Sequence, residues 1–322
     1  MPTKLPEKGA GVEDSDLSGE THVVTGSTSG IGRETAMALG RMGAHVVVHG
    51  RDEEKGERVA DDIDATNGSA TFVRADFSTT ENVREFADEV RAETDRLDAL
   101  LNNAGGLFSE GRLTEDGAEF TFAVNHLAPF VLTAELLPLL RETGETGAEA
   151  DDAGDGEPAR VVTTSSDAHK RAGMDFDVLT GIDGYSGFTA YCRSKLANVL
   201  FTRELARRLK ADDTPVKANC FHPGFVPGSG FPRETPLPFR IAARAVSAMP
   251  DAVESLVATT VSEGAETQVY LAVSDDVADI SGEYFYELRP RVPSDDARDD
   301  DDARRLWEVS EELTGVEYDL QD

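Results

Sequence analysis

The chain has 322 residues, enough to bury a large core, and its 39% hydrophobic residues and 29 glycines suit a soluble sheet-and-helix domain with many tight turns. With 62 acidic against 31 basic residues the formal charge is −31, which repels nucleic acid and anionic membrane surfaces and excludes both as expected partners. Its two cysteines, Cys192 and Cys220, exclude a disulfide framework and a zinc site built on paired thiolates.

The acids are spread along the whole chain and lysine is scarce, a pattern that fits a high-salt cytoplasm in which concentrated ions screen self-repulsion. The amino terminus, Met1-Pro2-Thr3-Lys4-Leu5-Pro6, lacks the apolar core of a signal peptide, and no run of eighteen apolar residues occurs. A cytoplasmic protein without a membrane span is the expectation.

In chain order, a polar tail over 1–18 precedes a strand at 22–25, and residues 33–42 read as a helix stopped by Gly43. Strands follow at 44–49, 70–74 and 99–101, separated by helices at 53–67 and 79–94. A long helix over 119–140, a strand at 160–164, a helix carrying Tyr191 as far as Leu209, and a strand at 216–220 continue the alternation. Strands separated by helices pair in parallel through right-handed crossovers. The expected fold is therefore α/β, a doubly wound parallel sheet in one domain over 19–315, with a tail at 316–322. Three stretches interrupt it. Residues 142–158 are polar and turn-rich and read as a mobile acidic surface insertion. Residues 225–261, with Pro227, Pro232, Pro236 and Pro238 before a helical stretch, would lie over the carboxyl edge of the sheet as a substrate lid. The acids of 295–302 read as a solvated loop before a terminal helix ending near Leu313.

Chemistry concentrates at three places. Thr25-Gly26-Ser27-Thr28-Ser29-Gly30-Ile31-Gly32 joins the first strand to the first helix. Glycines there allow a sharp turn and close approach to a pyrophosphate at the helix amino end, although a tight connection alone would use the same residues. The second strand ends Val48-His49-Gly50-Arg51-Asp52. NAD-selective folds usually place an acid at this end to hold the ribose 2′-hydroxyl. Gly50 stands in that place and Arg51 suits a 2′-phosphate, so NADP(H) is preferred, with NAD(H) favoured instead if Asp52 faces the ribose. Finally, Tyr191 and Lys195 lie four apart on a helix and share a face. Either they are a packed aromatic and a solvated lysine, or the cation lowers the phenol's pKa and creates a general acid/base. The histidines show no ligand spacing, so no metal site is expected, and Cys192 reads as a packed side chain.

These residues resemble the short-chain dehydrogenases/reductases, and within them the retinol-dehydrogenase-like branch, over roughly 19–315. The glycine turn is similar to that family's Thr-Gly-x-x-x-Gly-Ile-Gly. Asp76, Asn102-Asn103-Ala104-Gly105, Val124-Asn125-His126-Leu127, Ser165-Ser166, Tyr191 with Lys195, and His222-Pro223-Gly224 follow in the family's order. The runs from Ser194 to Leu205 and from Leu306 to Leu313 resemble the branch itself.

The resemblance implies a Rossmann fold and a catalytic group of Asn125, Ser166, Tyr191 and Lys195. Tyr191 would exchange a proton with the substrate oxygen, Ser166 would hold that oxygen, Lys195 would lower the Tyr191 pKa and hold the nicotinamide ribose, and Asn125 would connect Lys195 to solvent through a water. Ser165 has the alternative reading of a backbone-bonding turn residue. Cofactor contacts would come from Gly26, Ser27, Ser29, Gly30, Ile31 and Gly32, from Arg51 and Asp76, from Asn103, Ala104 and Gly105, from Tyr191 and Lys195, and from Pro223, Gly224 and Val226. One departure stands out: where the family places a nicotinamide-gripping threonine, this chain has Gly228 and Ser229. The implied activity is hydride transfer between NADP(H) and an apolar aldehyde, ketone or alcohol. A nucleotide-binding sensor or scaffold with the same fold, and a sugar-nucleotide epimerase, are the competing readings. The resemblance also raises a homo-oligomer paired through the helices near Asn125 and Tyr191.

Overall fold

Apolar strands alternate with amphipathic helices along most of the chain. The computed structural model describes residues 5–150, 157–226 and 259–320, with side chains except at 147–150. The elements are α1 (Pro6–Ala10), β1 (Thr21–Val24), α2 (Gly30–Arg41), β2 (His45–Gly50), α3 (Glu53–Asp64), β3 (Ser69–Arg74), α4 (Thr80–Glu93) and β4 (Ala99–Asn102). Next, α5 (Phe120–Phe122) passes through a π-helical turn, Ala123–Leu127, into α6 (Ala128–Ala150). Then come β5 (Ala159–Thr164), α7 (Gly187–Ala211), β6 (Val216–Phe221), α8 (Val261–Val273), β7 (Tyr284–Tyr286), β8 (Arg289–Arg291) and α9 (Asp300–Thr314).

The strands form one sheet in the order β3-β2-β1-β4-β5-β6-β7-β8, parallel except for β8 against β7. Val23 of β1 lies opposite Val47 and Leu100, all fully buried, as expected for strands covered by helices on both faces. The winding reverses between β1 and β4, which opens a crevice beyond their carboxyl ends. This is the doubly wound parallel sheet anticipated from the sequence, with β7 and β8 as additions too short to show a period.

Both chain ends differ from expectation. From Leu5 on, the expected polar tail packs instead: α1 lies on the body, Ala10, Val12 and Leu17 are buried, and Glu7 is held by Arg41 through bonds of 2.7 and 2.8 Å. Gly9 sits so close to α8 that a Cβ would overlap the Glu266 side chain. At the other end, Val316 is buried and the Tyr318 hydroxyl donates to the Phe130 carbonyl at 2.7 Å, so the segment after 315 is docked at least that far. The proposed insertion over 142–158 begins as the last turns of α6 rather than as a loop. Its Glu, Thr and Ala residues continue the helix, and Gly144 is required because a Cβ there would meet the Pro215 carbonyl oxygen at 2.3 Å. Residues 151–156 lie outside the described residues, as does most of the 225–261 lid.

The segment Phe120–Thr146 is long and apolar enough to cross a membrane, but 72% of its most apolar window is buried inside the molecule. Phe130 of α6 and Phe201 of α7 are covered by the chain's own Trp307, at ring distances of 5.2 and 6.0 Å, and the Tyr318 ring packs at a tilt 4.4 Å from Trp307. Trp307 is 2% exposed, its indole N–H donates to Glu311, and the Arg208 guanidinium lies 4.5 Å over its ring. Trp307→Ala is expected to cost about 3–5 kcal/mol in a denaturant titration, the range for truncating a large buried aromatic.

Two buried histidines give the fold a pH dependence. Burial pushes His49 and His126 down to about 3 from the ordinary 6.5, so both rings are neutral in the native state. The unfolded chain binds these protons below about pH 6.5 and the folded chain does not until near pH 3. Their contribution is therefore full above about pH 6.5 and falls on acidification, by about 1.4 kcal/mol per pH unit for each ring. Urea titrations between pH 7 and 5 should show this slope, reduced in His49→Phe. An unchanged slope in that variant would mean the ring titrates alike in both states.

Candidate active site

The turn from β1 to α2 is built on glycine geometry. Gly26 and Gly30 have φ of +67° and +61°, in the left-handed region that side chains disfavour. A Cβ on Gly26 would lie 2.9 Å from Ala104 Cα, and one on Gly32 would lie 2.6 Å from the Gly26 carbonyl oxygen. The N–H groups of Gly30, Ile31 and Gly32 open α2 without an earlier turn to accept them, and the helix dipole adds positive potential. Such a cradle fits a pyrophosphate.

Side chains beneath the turn hold it in shape. The Ser27 hydroxyl donates to the Val24 carbonyl at 2.7 Å and accepts the His49 N–H at 3.0 Å, so it is engaged within the turn. His49 Nδ1 accepts the Gly26 N–H at 3.0 Å, its Nε2 donates to the Ala75 carbonyl at 3.2 Å, and its ring stacks 4.0 Å from Phe77. Thr25 Oγ1 accepts the N–H groups of Asn103 and Ala104 at 2.9 and 3.0 Å, while Asn103 Nδ2 donates to the Thr25 carbonyl. The Asn103-Ala104-Gly105 segment is thereby latched to the glycine turn. Ser29 is the N-cap of α2, with no capping bond from its own side chain. Ile31 packs with Val226 and Ala265, bringing the turn against the segment that follows Pro223-Gly224. Gly228 and Ser229 lie outside the described residues.

At the end of β2, Gly50 offers no side chain to a ribose, and a Cβ there would meet Thr28 Cγ2 at 2.4 Å, so the Thr28 side chain would have to shift. Asp52 is the N-cap of α3, accepting the Lys55 N–H at 3.2 Å and pairing with the Lys55 ammonium. Arg51 and Asp76 are half-exposed and 4.0 Å apart, and with Arg74, Asn82, Glu85 and Glu89 they line a cavity of about 230 Å³. Arg33, by contrast, pairs with Glu34 and Asp62.

The remaining groups converge on α7, whose middle is buried against β5 and β6. Tyr191 and Lys195 are 8% and 4% exposed, and the ammonium lies 5.8 Å from the centre of the phenol ring. The shared helical face is as the spacing predicts, but the expected lowering of the phenol pKa is not found. Burial pushes Tyr191 up to about 12, opposed by a hydrogen bond with the Ser166 side chain, and burial pulls Lys195 down to about 8. Lys195 Nζ donates to the Thr164 carbonyl at 2.9 Å, and that carbonyl also accepts from Asn198 at 3.1 Å. Ser166 Oγ accepts the Ala168 N–H at 3.2 Å. The neighbouring Ser165 hydroxyl donates to the Lys195 carbonyl at 2.8 Å, the backbone-bonding role weighed for it.

Asn125 sits in the π-helical turn and is fully buried. Its Oδ1 accepts the Gly106 N–H and its Nδ2 donates to the Gly106 carbonyl and to Ser194 Oγ, each at 2.9 Å. The side chain is therefore occupied, and Pro129, which lacks an N–H, removes the α-helical donor to the Asn125 carbonyl. A Cβ on Gly105 would lie 2.9 Å from Asn125 Oδ1 and 3.6 Å from Lys195 Nζ, which places all three together. Sequence reading missed Ser194, whose hydroxyl links Asn125 to the Tyr191 carbonyl at 2.8 Å, and the brace made by His49. Ser194 carried a signal, three residues after Tyr191 and so on its helical face. His49 carried none, because its partners come from other strands.

A family model for short chain dehydrogenases matches residues 20–234. Mouse retinol dehydrogenase 14 is 37% identical over 312 residues, covering 93% of this chain and 87% of the relative. Bovine retinol dehydrogenase 12 is 40% identical over 307 residues, covering 95% and 89%. Among solved structures, an uncharacterized Mycobacterium paratuberculosis protein aligns with a TM-score of 0.70 and 31% identity over 94% of this chain and 96% of that one. A Shigella flexneri short chain dehydrogenase complexed with NADP aligns with a TM-score of 0.60 and 25% identity over 85% and 98%. The glycine turn, the buried Tyr191–Lys195 face and these relatives agree: the chain belongs to the short chain dehydrogenase family, in its retinol-dehydrogenase-like branch, and is an NAD(P)-dependent oxidoreductase of alcohol and carbonyl groups.

Proposed function

We propose that the protein transfers hydride between NADP(H) and an apolar aldehyde or ketone, or the corresponding alcohol, with Tyr191 as general acid/base. The observation that carries this reading is a buried phenol, protonated at neutral pH, near the Ser166 side chain and on a face shared with Lys195. A bound nicotinamide supplies or accepts the hydride. Tyr191 donates its hydroxyl proton to the carbonyl oxygen as negative charge develops there, and Ser166 holds that oxygen by a hydrogen bond. In the oxidative direction the phenol must give up its proton first, and Lys195, cationic below about pH 8, is the nearby charge that favours this. The Asn125 carbonyl would hold the water that returns protons to Lys195.

Preference for NADP(H) is supported by a glycine, without a carboxylate, at position 50, by the capping role of Asp52, and by Arg51 beside the Asp76 cavity. An apolar substrate is supported by the retinol dehydrogenase relatives and by Phe188 and Phe225, 39% and 57% exposed, on the first turn of α7 and after Pro223-Gly224. The charge of −31 supports a high-salt cytoplasm as its setting.

Tyr191→Phe should lower turnover of a hydrophobic aldehyde with NADPH by at least ~10²-fold while nucleotide binding persists. Near-normal turnover refutes the role of Tyr191, and a wild type that binds nucleotide without turnover favours the sensor or scaffold. Arg51→Ala should weaken NADPH binding more than NADH binding, as read by titration of each; equal losses would separate Arg51 from the 2′-phosphate. The melting temperature should rise from dilute to molar salt, and a flat response would sink the high-salt reading.

A further inference from the structure

His169 has no place in the chemistry above, yet it is fully buried and both ring nitrogens are bonded to backbone. Nδ1 lies 2.7 Å from the Ser166 carbonyl oxygen, and because a carbonyl only accepts, Nδ1 carries the proton. Nε2 lies 3.1 Å from the Ser294 backbone nitrogen, which only donates, so Nε2 is the bare acceptor. One neutral tautomer is thereby fixed, and burial holds the ring's pKa below its ordinary value. The His169 backbone N–H reaches the same Ser166 carbonyl at 3.0 Å, and Tyr284 packs edge-on against the ring at 4.9 Å.

We propose that His169 is a positioning residue, which ties the Ser166 peptide to the carboxy-terminal segment at Ser294 and so sets the Ser166 hydroxyl against Tyr191. Ser166 is extended, with φ −158° and ψ 152°, and its carbonyl fixes the peptide from which the Asp167–Arg171 turn departs. With that carbonyl clamped twice by His169, the Ser166 hydroxyl keeps its bond from the Ala168 N–H and its place near Tyr191. The other end of the clamp is firm as well: Ser294 Oγ accepts the Ala297 N–H at 3.3 Å, in the turn that leads into α9. The carboxy-terminal segment thus reaches the proposed oxyanion partner through a single imidazole. This role rests on the reductase reading of Ser166 and Tyr191.

Two substitutions divide the ring's functions, since an asparagine amide matches the position of Nδ1 and a glutamine amide that of Nε2. His169→Asn keeps a donor for the Ser166 carbonyl and should retain most of kcat while the Ser294 amide loses protection in hydrogen exchange. His169→Gln keeps an acceptor for Ser294 and should preserve that protection while kcat falls by up to ~10²-fold, as expected for a misplaced reacting group. The KM for NADPH should stay near wild type in both, and retained nucleotide binding shows that each variant folds. Equal kcat losses in the two variants, tracking their melting temperatures, would reduce His169 to a packing residue. A wild-type enzyme that turns over beside a fully active His169→Gln overturns this role alone. A wild type without turnover overturns the reductase reading, and this role with it.

Discussion

The polar face of α7, pressed against the carboxyl ends of β5 and β6, is the constraint on which the site depends. Tyr191, Ser194, Lys195 and Asn198 are all buried there, where an unpaired polar group is costly. Much of that cost is answered locally: the Thr164 carbonyl takes Lys195 and Asn198, and Ser194 bridges Asn125 and the helix backbone. Because those partners sit on strand ends and on the π-helical turn, the active groups inherit the rigidity of the sheet. Desolvation then decides the ionisation states, holding the phenol protonated and loosening the lysine's hold on its proton.

The nucleotide end follows a similar logic with different chemistry. Its glycine turn needs free N–H groups on the ligand side and complete satisfaction on the protein side. Thr25, Ser27, His49 and Asn103 supply the second requirement from β1, β2 and the segment after β4. His49 can do this only as a neutral ring, and its burial between Phe77 and Phe86 ensures that state. The same burial that orders the cradle makes the fold sensitive to acid, so the pH dependence and the shape of the turn share one cause.

The ends of the chain close the structure over this frame. Trp307 and Tyr318 cover the aromatic seam between α6 and α7, and α1 covers α8 and the end of α2. Such packing joins residues hundreds of positions apart, and none of it has a local signature. A polar-looking segment such as 1–18 contributes Ala10, Val12 and Leu17 to the core because a few apolar contacts suffice once a groove exists to receive them.

The sequence by itself determined the doubly wound sheet, its parallel strands, the glycine turn, and the helical face shared by Tyr191 and Lys195, because each of these rests on period or on the conformational limits of single residues. Only the tertiary structure decided the ionisation of that pair, the capping role of Asp52, and the braces made by His49, Ser194 and His169. It also decided that the stretch after 140 begins as helix and that residues 6–17 and 316–318 pack on the body. The physical reason is that periodicity reports neighbours along one element, whereas desolvation, hydrogen-bond partners and free space are set by atoms from distant elements.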